Sequence, residues 1–156
     1  MGEKEKKIRR PGKKWIIIIA VVIVTAAAAL VALNLLKGDK TVEFKTLSEN
    51  KIPKDISSQV IPEYRTLERA LACMVEDKIY VVVTRGEKPT SGFEVDIDKM
   101  KLEDKEGKQN LIVYADFKDP EKEKALAQVL TYPLKVAETS LTKLPDEIEL
   151  RIQYDE

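Results

Sequence analysis

The longest feature of the hydrophobic pattern is an uncharged run of 22 residues near the start of the chain, residues 15–36. A helix of this length spans about 33 Å, which matches the roughly 30 Å hydrocarbon core of a bilayer. Trp15 opens the run, where an indole ring rests at the level of the lipid headgroups. The pattern therefore predicts one transmembrane helix over residues 15–36.

The distribution of charge predicts the orientation of this helix. Residues 1–14 contain seven basic and two acidic side chains, whereas the chain from Lys37 onward contains 20 basic and 25 acidic ones. Because basic flanks stay on the cytoplasmic side, we expect a cytoplasmic tail at 1–14, a linker at 37–40 and an extracytoplasmic domain at 41–156. A cleaved signal peptide is the main alternative, but its apolar stretch has about 7–15 residues. We expect an uncleaved signal anchor, in a single-pass protein of the cell membrane that contacts lipid through residues 15–36.

Beyond the linker, the pattern predicts one helix and several strands. Apolar residues at helical spacing predict a helix over 63–75, preceded by a loop at 48–62, and residues 121–130 show a weaker helical pattern. Segments that are β-branched or alternate between apolar and polar residues predict strands at 41–47, 78–84, 93–98, 111–117, 131–137 and 148–154. The expected fold class is α+β: the transmembrane helix, then a small, mainly antiparallel β domain with one packed helix.

The composition removes several classes of chemistry. The chain contains no histidine and one cysteine, Cys73, which excludes histidine-dependent triads, histidine metal sites and an internal disulfide. Cys73 falls near the apolar stripe of the predicted helix, so we expect a buried thiol.

Glu94, Asp96 and Asp98 alternate along a predicted strand, and carboxylates that point the same way from a strand do not converge on a calcium ion. We expect no metal, no cofactor and no enzymatic activity; a hydrolase with an unmarked carboxylate pair is the weakest alternative. The acidic outer domain also argues against a nucleic-acid partner.

One polar stretch joins two predicted strands and concentrates glycine, proline and hydroxyl residues: Gly86-Glu87-Lys88-Pro89-Thr90-Ser91-Gly92-Phe93. No Gly-Lys-Ser/Thr closes it and a strand follows it, so it is not a phosphate-binding loop. A structural connection whose glycines have positive φ is one interpretation. A loop that binds a partner is the other.

This loop and its flanking strands resemble the PrcB C-terminal domain family, in which a hydrophobic strand leads through Gly-x-Lys-Pro-Thr-Gly-Gly-Tyr into an alternating strand. Here Ile79–Val83, the loop and Glu94–Ile97 take those places, with Ser91 and Phe93 instead of the usual glycine and tyrosine. The resemblance covers roughly Tyr64 to Ile152 and includes Leu111-Ile112-Val113-Tyr114, Pro120 and Gln128-Val129-Leu130-Thr131-Tyr132-Pro133.

The family takes its name from a noncatalytic lipoprotein subunit of a bacterial cell-surface protease complex. The resemblance therefore implies a bacterial membrane protein whose extracytoplasmic domain binds another protein outside the cytoplasm, for which a surface or secreted peptidase is one candidate. It transfers no active site. The loop Gly86–Phe93 is the candidate site for the partner.

A second resemblance is to chagasin-type cysteine peptidase inhibitors, and it provides the alternative function. Pro89, Thr90 and Gly92 match the Asn-Pro-Thr-Thr-Gly loop of these inhibitors, although Lys88 replaces the asparagine. Their glycine-rich second loop is missing, because no glycine occurs between Gly92 and Gly107. Inhibition through the loop Lys88–Phe93 is therefore the less favoured interpretation.

The predicted topology is testable by cysteine labelling in a Cys73→Ser background. A cysteine placed in residues 1–14 should be protected from an impermeant reagent on intact cells, whereas one placed near Glu156 should react. The mature protein should also run at full length. A product shortened by about 28 residues would show that the apolar run is a cleaved signal peptide.

Overall fold

The computed structural model of the chain describes residues 21–29, 39–121 and 125–155. Residues 21–29 are helical, and no helix within the described ranges is long and apolar enough to cross a membrane. The basic tail and most of the predicted membrane span lie outside the described residues, so the transmembrane helix stays a prediction. Asp39–Glu156 form one compact unit, which contains all the strands described below.

Eight strands of this unit form two four-stranded sheets. In chain order they are β1 (Lys40–Thr41), β2 (Phe44–Leu47), β3 (Glu68–Val75), β4 (Lys78–Arg85), β5 (Glu94–Lys105), β6 (Lys108–Lys118), β7 (Leu134–Thr139) and β8 (Glu147–Asp155). The front sheet has the order β1-β5-β6-β8, and the back sheet has the order β2-β7-β4-β3. All neighbours are antiparallel except β6 and β8, which run parallel.

The main core lies between the two sheets. Val81 and Val83 of β4 are fully buried there, in one cluster with Val113 and Phe117 of β6. Strand β5 contributes alternate residues such as Val95 to the same cluster, while its polar residues alternate with them. This alternation is the period-2 pattern of a sheet with one buried face.

A helix covers the other face of the back sheet. It occupies residues 54–64 and consists mainly of a π-helix, Ile56–Val60, followed by an α-helix, Ile61–Tyr64. Ile56 is fully buried and packs with Tyr80 and Val82 of β4. Because β4 is covered by the front sheet on one side and by this helix on the other, it is apolar at nearly every position.

The predicted helix over residues 63–75 is wrong. Glu68–Val75 is strand β3, which pairs with β4 along its whole length, and the packed helix lies in the segment 48–62 that was predicted to be a loop. Both faces of β3 are apolar: Ala70 contacts the core between the sheets, whereas Leu71 packs on the helix side. Without a polar face, the strand shows no period of two, and its apolar residues also fit helical spacing.

The other elements largely follow the sequence pattern, and the expected small, mainly antiparallel β domain with one packed helix is confirmed. The predicted first strand, 41–47, is divided because the chain leaves the front sheet after β1 and enters the back sheet at β2. The strand predicted at 131–137 begins at Leu134 instead. Residues 125–130 are not helical, so the weak helical prediction is wrong there, and residues 122–124 lie outside the described part of the chain.

The position of the packed helix makes a testable prediction for Ile56. Ile56→Ala should lower the free energy of unfolding of the 39–156 fragment by about 2–5 kcal/mol, because it leaves a cavity under the helix. Urea denaturation measures the change. Gln59→Ala, at an exposed position of the same helix, is the control and should change stability by no more than about 0.5 kcal/mol. Equal effects of the two variants would show that residues 54–64 do not pack on the sheet.

Candidate functional site

The loop Gly86–Phe93 connects the two sheets, because β4 ends before it in the back sheet and β5 begins after it in the front sheet. It is paired with the segment that precedes β7. Lys88 and Thr131 exchange two backbone hydrogen bonds, each 2.9 Å long. The Thr131 hydroxyl also donates to the carbonyl of Thr90 at 2.8 Å. The middle of the loop is therefore held in place by residues about forty positions later in the chain.

Ser91 extends this pairing on the far side of the loop. Its backbone N–H donates to the carbonyl of Ala127 at 3.0 Å, and its hydroxyl accepts from the N–H of Ala127 at 3.1 Å. A glycine at this position has no hydroxyl for the second bond. Ser91, which replaces the usual glycine of the resembled motif, thus adds one hydrogen bond to those that hold the loop against residues 127–131.

The two glycines of the loop have the positive φ expected from the sequence. Gly86 has φ +77° and Gly92 has φ +94°. A Cβ atom on Gly92 would lie 2.7 Å from Cβ of Pro120 and 3.1 Å from the side chain of Leu126. Residue 92 therefore needs glycine both for its backbone conformation and for the close approach of Pro120. The structural interpretation of these glycines is confirmed.

Arg85, at the end of β4, is a buried cation that sequence reasoning missed. The side chain is 3% exposed, and its Nη1 donates to the carbonyls of Lys118 at 2.5 Å and Glu94 at 3.3 Å. Its Nη2 forms an ion pair with Asp119. The guanidinium carbon lies 5.0 Å from the ring centroids of both Phe93 and Phe117.

Arg85 therefore joins the end of β4 in the back sheet to the start of β5 and the end of β6 in the front sheet. A guanidinium suits this position because its several N–H groups bond different acceptors in one plane. An arginine at the end of an apolar strand looks like an ordinary exposed charge. The signal in the sequence is its place directly after the buried run Ile79–Thr84.

The outer surface of the loop and its partner segment is exposed. We call it the tip surface, and it consists of Glu87, Pro89, Val129, Leu130 and Tyr132. Val129 and Leu130 are 52% and 58% exposed. The Tyr132 hydroxyl donates to the Glu87 carboxylate at 2.8 Å, and this bond raises the pKa of Tyr132 above its ordinary value. The tip surface therefore combines exposed apolar side chains with a fixed polar pair.

The remaining loop side chains lie closer to the body of the domain. Lys88, Thr90, Ser91 and Phe93 are half-buried, and the Lys88 ammonium lies 5.7 Å from the centroid of the Phe93 ring. Phe93, the first residue of the strand predicted at 93–98, precedes β5 in the structure. It lies under the Arg85 guanidinium and borders an open groove of about 770 Å³ beside the loop.

The residues that suggested other chemistry lie on β5 and β3, outside the loop Gly86–Phe93. Glu94 and Asp96 alternate with buried Val95 on β5, and Asp98 lies at the irregularity between Ile97 and Lys99. Within the described ranges, no three acidic, cysteine or histidine side chains are grouped to hold a metal ion. Cys73 is half-buried on β3, not on a helix, and burial raises the pKa of its thiol, which lowers the reactive thiolate fraction.

One family model matches the part of the chain that contains this loop. The family model described as PrcB C-terminal matches residues 79–140, from β4 through β7. The resemblance predicted from the loop and its flanking strands is confirmed by this match. The searches of curated proteins and of solved structures found no match.

The close approach of Pro120 to Gly92 can be tested by comparison with Gly107, a second glycine with positive φ. Gly92→Ala should destabilise the domain through its positive φ, by about 1–3 kcal/mol, and further through overlap with Pro120. Gly107 has φ +83°, and a Cβ there would meet nothing within 4 Å, so Gly107→Ala carries the backbone cost alone. Urea denaturation of both variants should show the larger loss for Gly92→Ala. Equal losses would show that the loop does not pack against Pro120.

Proposed function

We propose, from the PrcB C-terminal match over residues 79–140, that this chain is a noncatalytic accessory protein that binds a peptidase or its complex outside the cytoplasm. The observation that carries the proposal is the bracing of the loop Gly86–Phe93, which holds the tip surface in one conformation. The family match supports a role in association with a protease, and the hydrogen bonds that fix the loop support the tip surface as the contact.

The hydrogen bonds that fix the loop reduce the conformational entropy that it would lose when a partner binds. Backbone hydrogen bonds from Lys88 and Ser91 fix the loop at two points, and Gly92 packs against Pro120. A loop that is already fixed loses less freedom when a partner binds, so more of the contact energy appears as affinity. Protein interfaces are enriched in tyrosine, and the half-buried Tyr132 lies at the tip surface with the exposed Val129 and Leu130.

The same proposal includes a membrane anchor. The uncharged run 15–36 and the basic tail 1–14 favour a single-pass protein with its binding domain on the outside. An anchor of this kind confines the domain to a thin layer at the membrane, which raises its effective concentration for a surface peptidase. The tip surface then contacts the peptidase, and the anchor restricts this contact to the membrane surface.

The loop is tested by a double variant, Lys88→Ala with Thr90→Ala. These substitutions remove side chains from the loop but keep the backbone hydrogen bonds with Thr131. We expect the variant to capture less of its peptidase partner from the native membrane, while its Tm stays nearly unchanged. The matched control is Lys143→Ala with Thr142→Ala, which changes the same residue types at exposed positions of another connection.

Capture that is equal for the loop variant and the control would remove this loop as the contact. A large fall in Tm for the loop variant would show instead that its side chains support the fold. The same preparations also test the alternative of inhibition through Lys88–Phe93. The accessory proposal expects papain-like activity to be unaffected by the protein, whereas dose-dependent loss of that activity would favour the inhibitor.

A further inference from the structure

The groove beside Phe93 lies where the front sheet is incomplete. Strand β1 pairs with β5 only at Leu102 and Lys101, and the N–H of Val42 then donates to the carbonyl of Met100. The chain next crosses to the back sheet and continues as β2. Among the described residues, no strand pairs with the free side of β5 between Glu94 and Lys99.

Residues of the back sheet and of the packed helix form the other walls of this groove. Leu134, Lys135 and Val136 at the start of β7 line it, together with Leu47 at the end of β2. Ile61 of the packed helix is a further wall residue. The opening continues the line of β1 in the front sheet and extends past the edge of β7 to the other face of the back sheet, because these apolar wall residues belong to the cluster between that sheet and the packed helix.

The free side of β5 has the hydrogen-bonding groups of an edge strand. Alternate residues of a strand direct N–H and C=O groups to each side, so those of residues 94–99 that face away from β6 are available to another strand. Six residues of extended chain span about 20 Å. An added strand of this length would continue the sheet where β1 leaves it.

The charges around the groove favour a basic occupant. Its ionisable lining residues are Glu49, Glu94, Asp96 and Lys135, and the Lys135 ammonium is already paired with Asp96 at 2.8 Å. Three carboxylates therefore face one ammonium group. Glu94 and Asp96 alternate with buried Val95, so they lie on the outer face of the sheet, where they would meet the outward side chains of an added strand.

We propose that this groove binds an extended, basic peptide segment of a partner protein, which adds as a strand to the free edge of β5 beside Glu94–Lys99. Its backbone completes the front sheet in place of β1. Its inward side chains are apolar and lie beside the inward side chain of Val95, and its outward lysine or arginine side chains lie opposite Glu94 and Asp96. The groove shares Tyr132 with the tip surface, but the added strand contacts the edge of β5, so the proposal holds whether or not the tip surface binds a peptidase.

The probe is a fluorescently labelled peptide of eight residues, alternating valine and lysine, with blocked ends. Fluorescence anisotropy with the full-length chain in nonionic detergent should show saturable binding. The same peptide with N-methyl groups at alternate positions keeps its charge but loses backbone donors on one side, and both possible registers of methylation are made. One or both methylated peptides should bind at least about tenfold more weakly. A peptide that alternates valine and glutamate should not bind.

Two protein variants locate the contact. Glu94→Lys with Asp96→Lys should weaken binding of the valine-lysine peptide by about tenfold, because two attractive cross-strand pairs become repulsive. Glu147→Lys with Glu149→Lys makes the same charge change on β8, at the other edge of the front sheet, and should leave the affinity within about twofold.

Several results would overturn the proposal. Equal binding of the unmethylated and both methylated peptides would exclude strand addition, and equal binding of the valine-glutamate peptide would exclude charge selection. Equal weakening by the two pairs of variants would place the peptide elsewhere on the acidic surface. Because the peptide comparisons use the unaltered chain, they decide the question even if a variant fails to fold. Loss of capture in the Lys88 and Thr90 variant with intact peptide binding would separate this site from the contact made by the loop Gly86–Phe93.

Discussion

Burial of β4 on both faces is the constraint on which the domain depends. Val81 and Val83 face the front sheet, whereas Tyr80 and Val82 face the packed helix. A fully buried valine stabilises a fold by about 1.5–3 kcal/mol relative to an exposed one, so neither face of this strand can be left open to water. The front sheet and the helix are therefore both required, and the strands β3 and β7 must flank β4 to satisfy its backbone groups.

Arg85 is where this buried strand ends and the loop begins. A buried guanidinium needs partners for its donors and its charge, and here two carbonyls of the front sheet bind Nη1 and the carboxylate of Asp119 pairs with Nη2, whereas the buried Nε has no hydrogen-bond partner. The aromatic rings of Phe93 and Phe117 cover the same cation. The side chain that closes this end of the core thus also fixes the residue that borders the groove.

The sequence pattern predicted the elements whose burial differs between their two faces. Strand β5 was visible because buried Val95 and Ile97 alternate with polar residues. Strand β3 was not, because its two faces contact two different apolar surfaces. The helix at 54–64 contains two serines and Pro62, which are typical of loops, yet Pro62 lies where the π-helix Ile56–Val60 passes into the α-helix Ile61–Tyr64. Packing of Ile56 and its neighbours on β4 outweighs the weak local propensity.

In the candidate site, the sequence predicted the local backbone features but not the contacts between distant segments. The glycines of the loop were recognisable from composition because positive φ is a local property. Its pairing with residues 127–131 was not, since those contacts join segments about forty positions apart. Arg85 was missed for a related reason, because two of its acceptors come from Lys118 and Asp119, which only the fold brings close. Loop composition predicts where the backbone turns, and tertiary contacts decide whether the turn is rigid.

The carboxylates on the free edge of β5 have two effects: they oppose pairing with a second copy, and they favour pairing with a basic strand. Exposed strand edges invite pairing between copies of a protein, and charged side chains on such an edge oppose it. Glu94 and Asp96 lie on this edge in a domain that has five more acidic than basic residues from Lys37 onward, so a second copy meets like charge. A basic strand meets opposite charge at the same positions. The carboxylates that oppose pairing between two copies are therefore the ones that, in our proposal, select a basic strand.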